Sequence, residues 1–88
     1  MLIEFDPAKD AENRSKHGIS LGEAARIEWD SAVTWPDRRF DYDEDRMCGL
    51  GYIGVRLYYV AFIDRGQIRR VISLRKANKR EERTYARA

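Results

Sequence analysis

Histidine and cysteine each occur once in this chain, as His17 and Cys48, and proline occurs only twice. A lone cysteine cannot close an internal disulfide, so packing alone must hold the fold, and a reducing, cytoplasmic setting is expected. Cys48 sits in an apolar, strand-like run and reads as a buried strand residue. A reactive thiol needs a neighbour that lowers its pKa, and His17 lies in another element. Zinc-ligand spacing, a P-loop and a Rossmann glycine pattern are all missing, so neither a metal nor a small-molecule cofactor is expected. The run Asp41-Tyr42-Asp43-Glu44-Asp45 imitates the opening of a calcium loop, but Arg46 stands where the loop needs Gly and Tyr52 where it needs a bidentate Glu. It reads as a solvated acidic loop. The N-terminus carries acid at Glu4 and Asp6 and no basic n-region, which argues against an ordinary signal peptide, and no apolar run is long enough to span a membrane.

What the sequence does hold is aromatic mass and polarised charge. A chain of 88 residues has material for one hydrophobic core, so residues 1–88 are expected to form a single domain. Its two Trp, five Tyr and three Phe suit a thin core that needs bulky side chains. The net charge of +2 conceals a division at the Asp64 to Arg65 step. Residues 1–64 hold 8 Lys or Arg against 13 Asp or Glu, net −5, and residues 65–88 hold 9 against 2, net +7. Such asymmetry places a positive field on one part of a small surface, where it can steer and hold a polyanion; a solvated basic tail is the plainer alternative.

The pattern along the chain predicts an α+β fold of two N-terminal helices, a four-stranded and mainly antiparallel sheet, and a C-terminal helix. Asp6-Pro7 caps and opens the first helix, and Gly18 closes it after Lys16 and His17. Ser20-Leu21-Gly22-Glu23 has capping-box spacing and predicts a second helix to about Trp29. Strands are then predicted over Ala32 to Trp35, Arg46 to Ile53, Leu57 to Ile63 and Gln67 to Arg75, the last two joined by a tight turn at Asp64-Arg65-Gly66. In the third strand Leu57, Tyr59, Ala61 and Ile63 alternate with Tyr58, Val60 and Phe62, the mark of a central strand apolar on both faces. Strict alternation in the fourth would set Ile68, Arg70, Ile72 and Leu74 on one face and Arg69, Val71, Ser73 and Arg75 on the other. Asn78 to Glu81 is a second capping box, opening a basic terminal helix.

The densest constellation runs from Arg69 to Tyr85, across a strand end and a helix start. Side chains from both elements converge at such a junction, and the free N–H groups of the helix N-terminus add donors for an anion. Arg69, Arg70, Arg75, Lys76, Lys79, Arg80 and Arg83 supply the charge, Ser73 a hydroxyl, and Tyr85 a π-face for a base. RNA can be cut without a metal if the 2′-hydroxyl is deprotonated, the phosphorane stabilised and the departing oxygen protonated. Arginines suit the second task. For proton transfer the segment offers Glu81, Glu82, Lys76, Lys79 and Tyr85, and Glu81 is divided between that role and capping the helix. His17 has the right type of side chain, but its place in a last helical turn points to a stabilising role, so it ranks with Glu82 as a secondary candidate.

The chain resembles the BrnT toxins of BrnT/BrnA type II toxin-antitoxin pairs. The likeness begins with Phe5-Asp6-Pro7-Ala8-Lys9 and continues through Asn13, Lys16-His17-Gly18-Ile19-Ser20, Glu23-Ala24 and Asp30. It ends with Arg70-Val71-Ile72-Ser73-Leu74-Arg75-Lys76-Ala77, Glu81, Arg83 and Tyr85. The resemblance implies a RelE-like endoribonuclease that blocks translation in bacteria and is neutralised by a BrnA-type antitoxin in an oligomeric complex. On the matching positions it implies that Arg70 and Arg75 hold the scissile phosphate, Glu81 transfers a proton or orients an arginine, and Arg83 supports the charge. Two positions depart from the family pattern: Leu74 stands where Ala is usual, and Glu82 where a basic residue is usual. The same basic segment also fits a module that binds nucleic acid without cutting it, or one that docks an acidic or amphipathic protein partner.

Overall fold

A computed structural model describes residues 1–39 and 44–88, so most of the expected acidic loop from Asp41 to Asp45 lies outside the described residues. Asp6 caps the first helix, α1 (Pro7–His17), by accepting from the Ala8 N–H at 3.0 Å, and Pro7 occupies its first turn. Gly18 ends it in the left-handed conformation, φ 71°, with its N–H on the Arg14 carbonyl. The expected second helix is instead a 3-10 segment, Leu21–Arg26, followed by a single 3-10 turn, Trp29–Ser31. The capping box that would have opened an α-helix does not close. Ser20 Oγ donates to Asp10 Oδ1 at 2.9 Å, and the Glu23 carboxylate turns outward to Arg26 at 2.8 Å. The tighter segment lies close on the sheet: a Cβ built on Gly51 would sit 2.6 Å from Ile27 Cγ2.

The sheet is five-stranded and mixed, not four-stranded and mainly antiparallel. It comprises β1 (Leu2–Glu4), β2 (Val33–Pro36), β3 (Arg46–Ile53), β4 (Arg56–Arg65) and β5 (Ile68–Lys76), in the order β1-β5-β4-β3-β2. The strand that sequence reading overlooked is β1, which pairs parallel with β5 from Leu2 opposite Ile68 to Glu4 opposite Arg70. Three residues are too few to show a period of two, and the chain beyond them is already committed to the α1 cap. Past the end of β1 the Asn13 amide completes the same edge. Its Nδ2 donates to the Leu74 carbonyl at 2.8 Å and its Oδ1 accepts from the Leu74 N–H at 3.1 Å, which explains a buried asparagine in an otherwise polar helix.

A bulge between β4 and β5 resets the faces of β5. Ala61 pairs with Ser73 but Phe62 pairs with Val71, so Ile72 is the extra residue. As a result Val71 and Leu74 share one face, with Ile72 on the other, against strict alternation. The first face joins Val71 and Leu74 to Val60, Phe62 and the 3-10 residues Leu21, Ala24 and Ile27. The second joins Cys48, Leu50, Leu57, Tyr59 and Ala61 to Ala77, with Trp35, Tyr52, Ile72 and Tyr85 packed against them. The C-terminal helix α2 (Lys79–Ala86) lies over this second face and buries none of its own residues. Polar contacts seat it: Tyr85 donates to the Ser31 carbonyl at 3.1 Å and meets Tyr52 edge to face at 5.3 Å. Among the described residues, no helix is long and apolar enough to cross a membrane.

Candidate functional site

The junction between β5 and α2 is built by one carboxylate. Asn78 Oδ1 accepts from the Glu81 N–H at 2.8 Å while Glu81 Oε1 accepts from the Asn78 N–H at 2.9 Å, so the predicted capping box is complete. The same Glu81 side chain takes a two-pronged bond from Arg75, at 2.8 and 2.9 Å. Helix capping and arginine bracing are thus one arrangement, with the start of α2 fixing a guanidinium at the end of β5. That guanidinium lies on the Tyr59 ring, 4.3 Å from its centroid.

At the hydroxyl of Tyr59 stands a second braced arginine. Arg39 donates through Nε and Nη2 to Asp37, both at 3.0 Å, and Nη2 also reaches the Tyr59 hydroxyl at 3.4 Å. The Asp37 side chain is only 1 % exposed whereas that of Arg39 is 65 % exposed, so the carboxylate is the anchor and the guanidinium the presented group. Cys48 Sγ lies 3.1 Å from the same hydroxyl. These groups belong to a pocket of about 220 Å³ lined by Asp37, Arg38, Arg39, Cys48, Tyr59 and Glu81 together with Trp35 and Pro36. Arg75 contacts two of the lining residues.

The protonation of the pocket follows from burial and these pairings. Burial pushes Glu81 up, but the Arg75 hydrogen bond and charge and the Asn78 N–H outweigh it and hold the carboxyl below its ordinary range. It is therefore an anion at neutral pH and a poor base. Burial, then the Cys48 thiol, push the Tyr59 phenol up to about 12, and burial raises Cys48 itself. Both stay protonated, which leaves Tyr59 a hydrogen-bond donor and Cys48 a packed thiol. Hydrogen bonds to Asp37 and Glu81 hold Arg39 and Arg75 charged throughout.

The remaining sequence candidates scatter. Arg70 donates to Glu4 on β1 at 2.7 Å and lies opposite Ile63, four residues along β4 from Tyr59, the partner of Arg75. At strand rise that separation is about 13 Å. Arg69 is tied to Asp64 at 2.7 and 2.9 Å and held between Trp29 and Phe62 on the other face. Tyr85 secures α2, and Glu82 pairs with Arg56 at 3.1 Å. Ser73 and His17 share a separate groove of about 180 Å³ with Lys9, Lys16 and Ile72. Lys76, Lys79, Arg80 and Arg83 are exposed. Sequence reasoning missed Asp37, Arg39 and Tyr59 as a group. The signal it had was an aspartate and two arginines after a strand-ending proline, read only as part of a charged connection.

Fold and pocket together define a small α+β domain whose positive side chains are braced from behind and presented around one shallow hollow, a shape that complements an anion. The chain belongs to a known family: residues 5–81 match the model of the ribonuclease toxin, BrnT, of type II toxin-antitoxin systems. It is accordingly a ribonuclease toxin, with RNA as its substrate and an antitoxin protein as its partner. No curated protein matches the chain in a direct comparison.

Proposed function

We propose that the protein is a metal-independent endoribonuclease that acts in the cytoplasm to stop translation, is neutralised by a BrnA-type antitoxin, and cuts RNA at the junction of β5 and α2. The observation that carries this reading is the Arg75–Glu81 pair. A guanidinium fixed by a two-pronged carboxylate bond and an aromatic ring is preorganised to meet charge that develops on a phosphorane. In the reaction the 2′-oxygen bonds to the neighbouring phosphorus as its proton leaves, and the 5′-oxygen departs taking up a proton. The products are a 2′,3′-cyclic phosphate and a 5′-hydroxyl end. Arg75 contacts the phosphate oxygens and Glu81 is its positioning residue. Lys79, Arg80 and Arg83, exposed along α2, with Lys76 at the strand end, extend the positive surface for the flanking RNA. Arg70 serves the outer edge of that surface.

The test is cleavage of RNA by purified protein in excess EDTA, with 5′-hydroxyl ends as product. Arg75→Ala should lower the yield of product about 100- to 1,000-fold while circular dichroism stays native. A second reading, a module that binds nucleic acid without turnover, is favoured by one observation: Glu81 is held low while Tyr59 and Cys48 are held high, away from neutral proton transfer. Binding with a steep salt dependence and no new ends would select it. The antitoxin assignment is tested by competition between a BrnA-type protein and RNA for the same surface.

A further inference from the structure

We infer that Arg39, positioned by Asp37, is a second phosphate-contacting residue that grips the same phosphodiester as Arg75 from the hydroxyl end of Tyr59, an inference that rests on the ribonuclease reading above. Three observations lead there. First, the two cations share one side chain: Arg39 Nη2 is 3.4 Å from the Tyr59 hydroxyl and the Arg75 guanidinium carbon 4.3 Å from its ring centroid. Two guanidiniums thus meet one phenol, Arg75 at its ring and Arg39 at its hydroxyl, near enough for the charge of Arg39 to act on Arg75.

Second, each cation spends part of its donor set on its own carboxylate and keeps the rest for a ligand. A guanidinium has five N–H donors. Arg39 uses Nε and Nη2 on Asp37 and Tyr59, and among the described residues Nη1 donates to nothing. Arg75 uses Nη1 on Glu81 and the Lys76 carbonyl and Nη2 on Glu81, and its Nε donates to nothing among the described residues. Third, the two carboxylates neutralise the repulsion that would otherwise part the arginines, so the cluster is balanced before a ligand arrives. Asp37 is nearly sealed from water and also takes the Arg39 backbone N–H at 3.2 Å, and so fixes both the chain and the side chain of Arg39. A bidentate pair of this geometry sets direction as well as charge, which Lys cannot reproduce.

The experiment measures binding of a 2′-O-methyl RNA oligonucleotide, which cannot be cut, alongside cleavage of the unmodified oligonucleotide. Arg39→Lys keeps a cation for Asp37 and guards against misfolding. It should weaken binding about tenfold with unchanged circular dichroism, and lower cleavage further. Asp37→Asn should raise KM with a smaller loss in kcat, as expected if Arg39 remains charged but is no longer aimed. If one phosphate lies between the two arginines, Arg39→Lys and Arg75→Lys are non-additive, the double variant binding no more than about threefold more weakly than the poorer single. Full additivity would show two separate phosphates and overturn the shared grip. Wild-type binding and cleavage in Arg39→Lys, with cleavage lost in Arg75→Ala, would overturn the inference while leaving the ribonuclease reading intact. Absence of cleavage in every protein, with the non-additive binding preserved, would instead remove the nuclease reading and leave the phosphate grip standing.

Discussion

Arg69 and Arg75 lie six positions apart on one strand, each tied by two hydrogen bonds to a carboxylate and each stacked on an aromatic ring. Only Arg75 is held by residues that line the pocket, Tyr59 and Glu81. Arg69 is enclosed, with Trp29 at 4.5 Å and Phe62 at 4.1 Å, so its guanidinium acts as part of the packing around the first core. Arg75 has Tyr59 beside it, Glu81 behind it and a second arginine at the Tyr59 hydroxyl. The comparison teaches that bracing alone does not mark a functional arginine. What marks it is the direction left open once the brace is made. The β5 bulge creates the contrast, because inserting Ile72 puts Arg69 and Arg75 on opposite faces although strict alternation would have put them on the same one.

The comparison can be broken from the structural side first. Phe62→Ala removes the ring under Arg69 and opens a cavity in the first core, and should cost about 3 to 5 kcal/mol of stability in urea unfolding. Conditions that keep the variant folded should return near-wild-type cleavage per folded molecule. The converse is Arg75→Ala, with cleavage reduced about 100- to 1,000-fold, equivalent to about 3 to 4 kcal/mol of transition-state stabilisation. Arg69→Ala, assayed beside it, should lower the melting temperature and leave cleavage per folded molecule within a few fold.

Smaller changes sharpen the contrast. Glu81→Gln keeps the shape of the cap but loosens Arg75, and its effect on stability should depend on pH. Because the native carboxyl titrates below its unfolded value, its contribution is fully present above the ordinary glutamate pKa of about 4.3 and is lost as pH falls through the native value. Wild type should therefore exceed Glu81→Gln by on the order of 1 kcal/mol at pH 7, and the gap should close as pH falls through the native value. A gap that persists in acid would mean that Glu81 works through packing instead of charge. Asn78→Ala removes the other half of the box and should cost about 1 kcal/mol, with a modest fall in cleavage as α2 frays. The smallest effect is expected for Lys79→Ala, which should flatten the salt dependence of RNA binding by about 0.7 in the logarithmic slope, the share of one phosphate contact on a single strand.

Much of this arrangement was legible before any coordinates. The α1 caps, the box at Asn78 to Glu81 and the nearness of Arg75 to Glu81 depend on contacts within a few residues, where local rules hold, and the central position of β4 showed in its two apolar faces. Four features were not legible, for different reasons. The β1 strand is too short to carry a period and forms only because β5 offers an edge 66 residues later. The second helix became 3-10 turns although Ser20 still caps it: its hydroxyl accepts from the Gly22 N–H and donates to Asp10, while Glu23 bonds Arg26 and leaves the box open, a set of contacts that includes one from ten residues earlier. The faces of β5 turned on a bulge that no alternation pattern contains. Asp37, Arg39 and Tyr59 meet only through the β2, β3 and β4 registers, with Trp35 opposite Cys48 and Leu50 opposite Tyr59, so their shared pocket is a property of pairing and not of spacing.

The central claim is that one phosphodiester sits between Arg39 and Arg75 over Tyr59. A crystal structure of the protein with a bound 2′-O-methyl RNA oligonucleotide tests it most directly. The account predicts a phosphate oxygen within hydrogen-bond distance of both guanidiniums, with Asp37 and Glu81 still holding them from behind. A backbone that instead tracks the groove beside Lys9, Lys16 and His17, leaving the pocket between the two arginines empty, would contradict it.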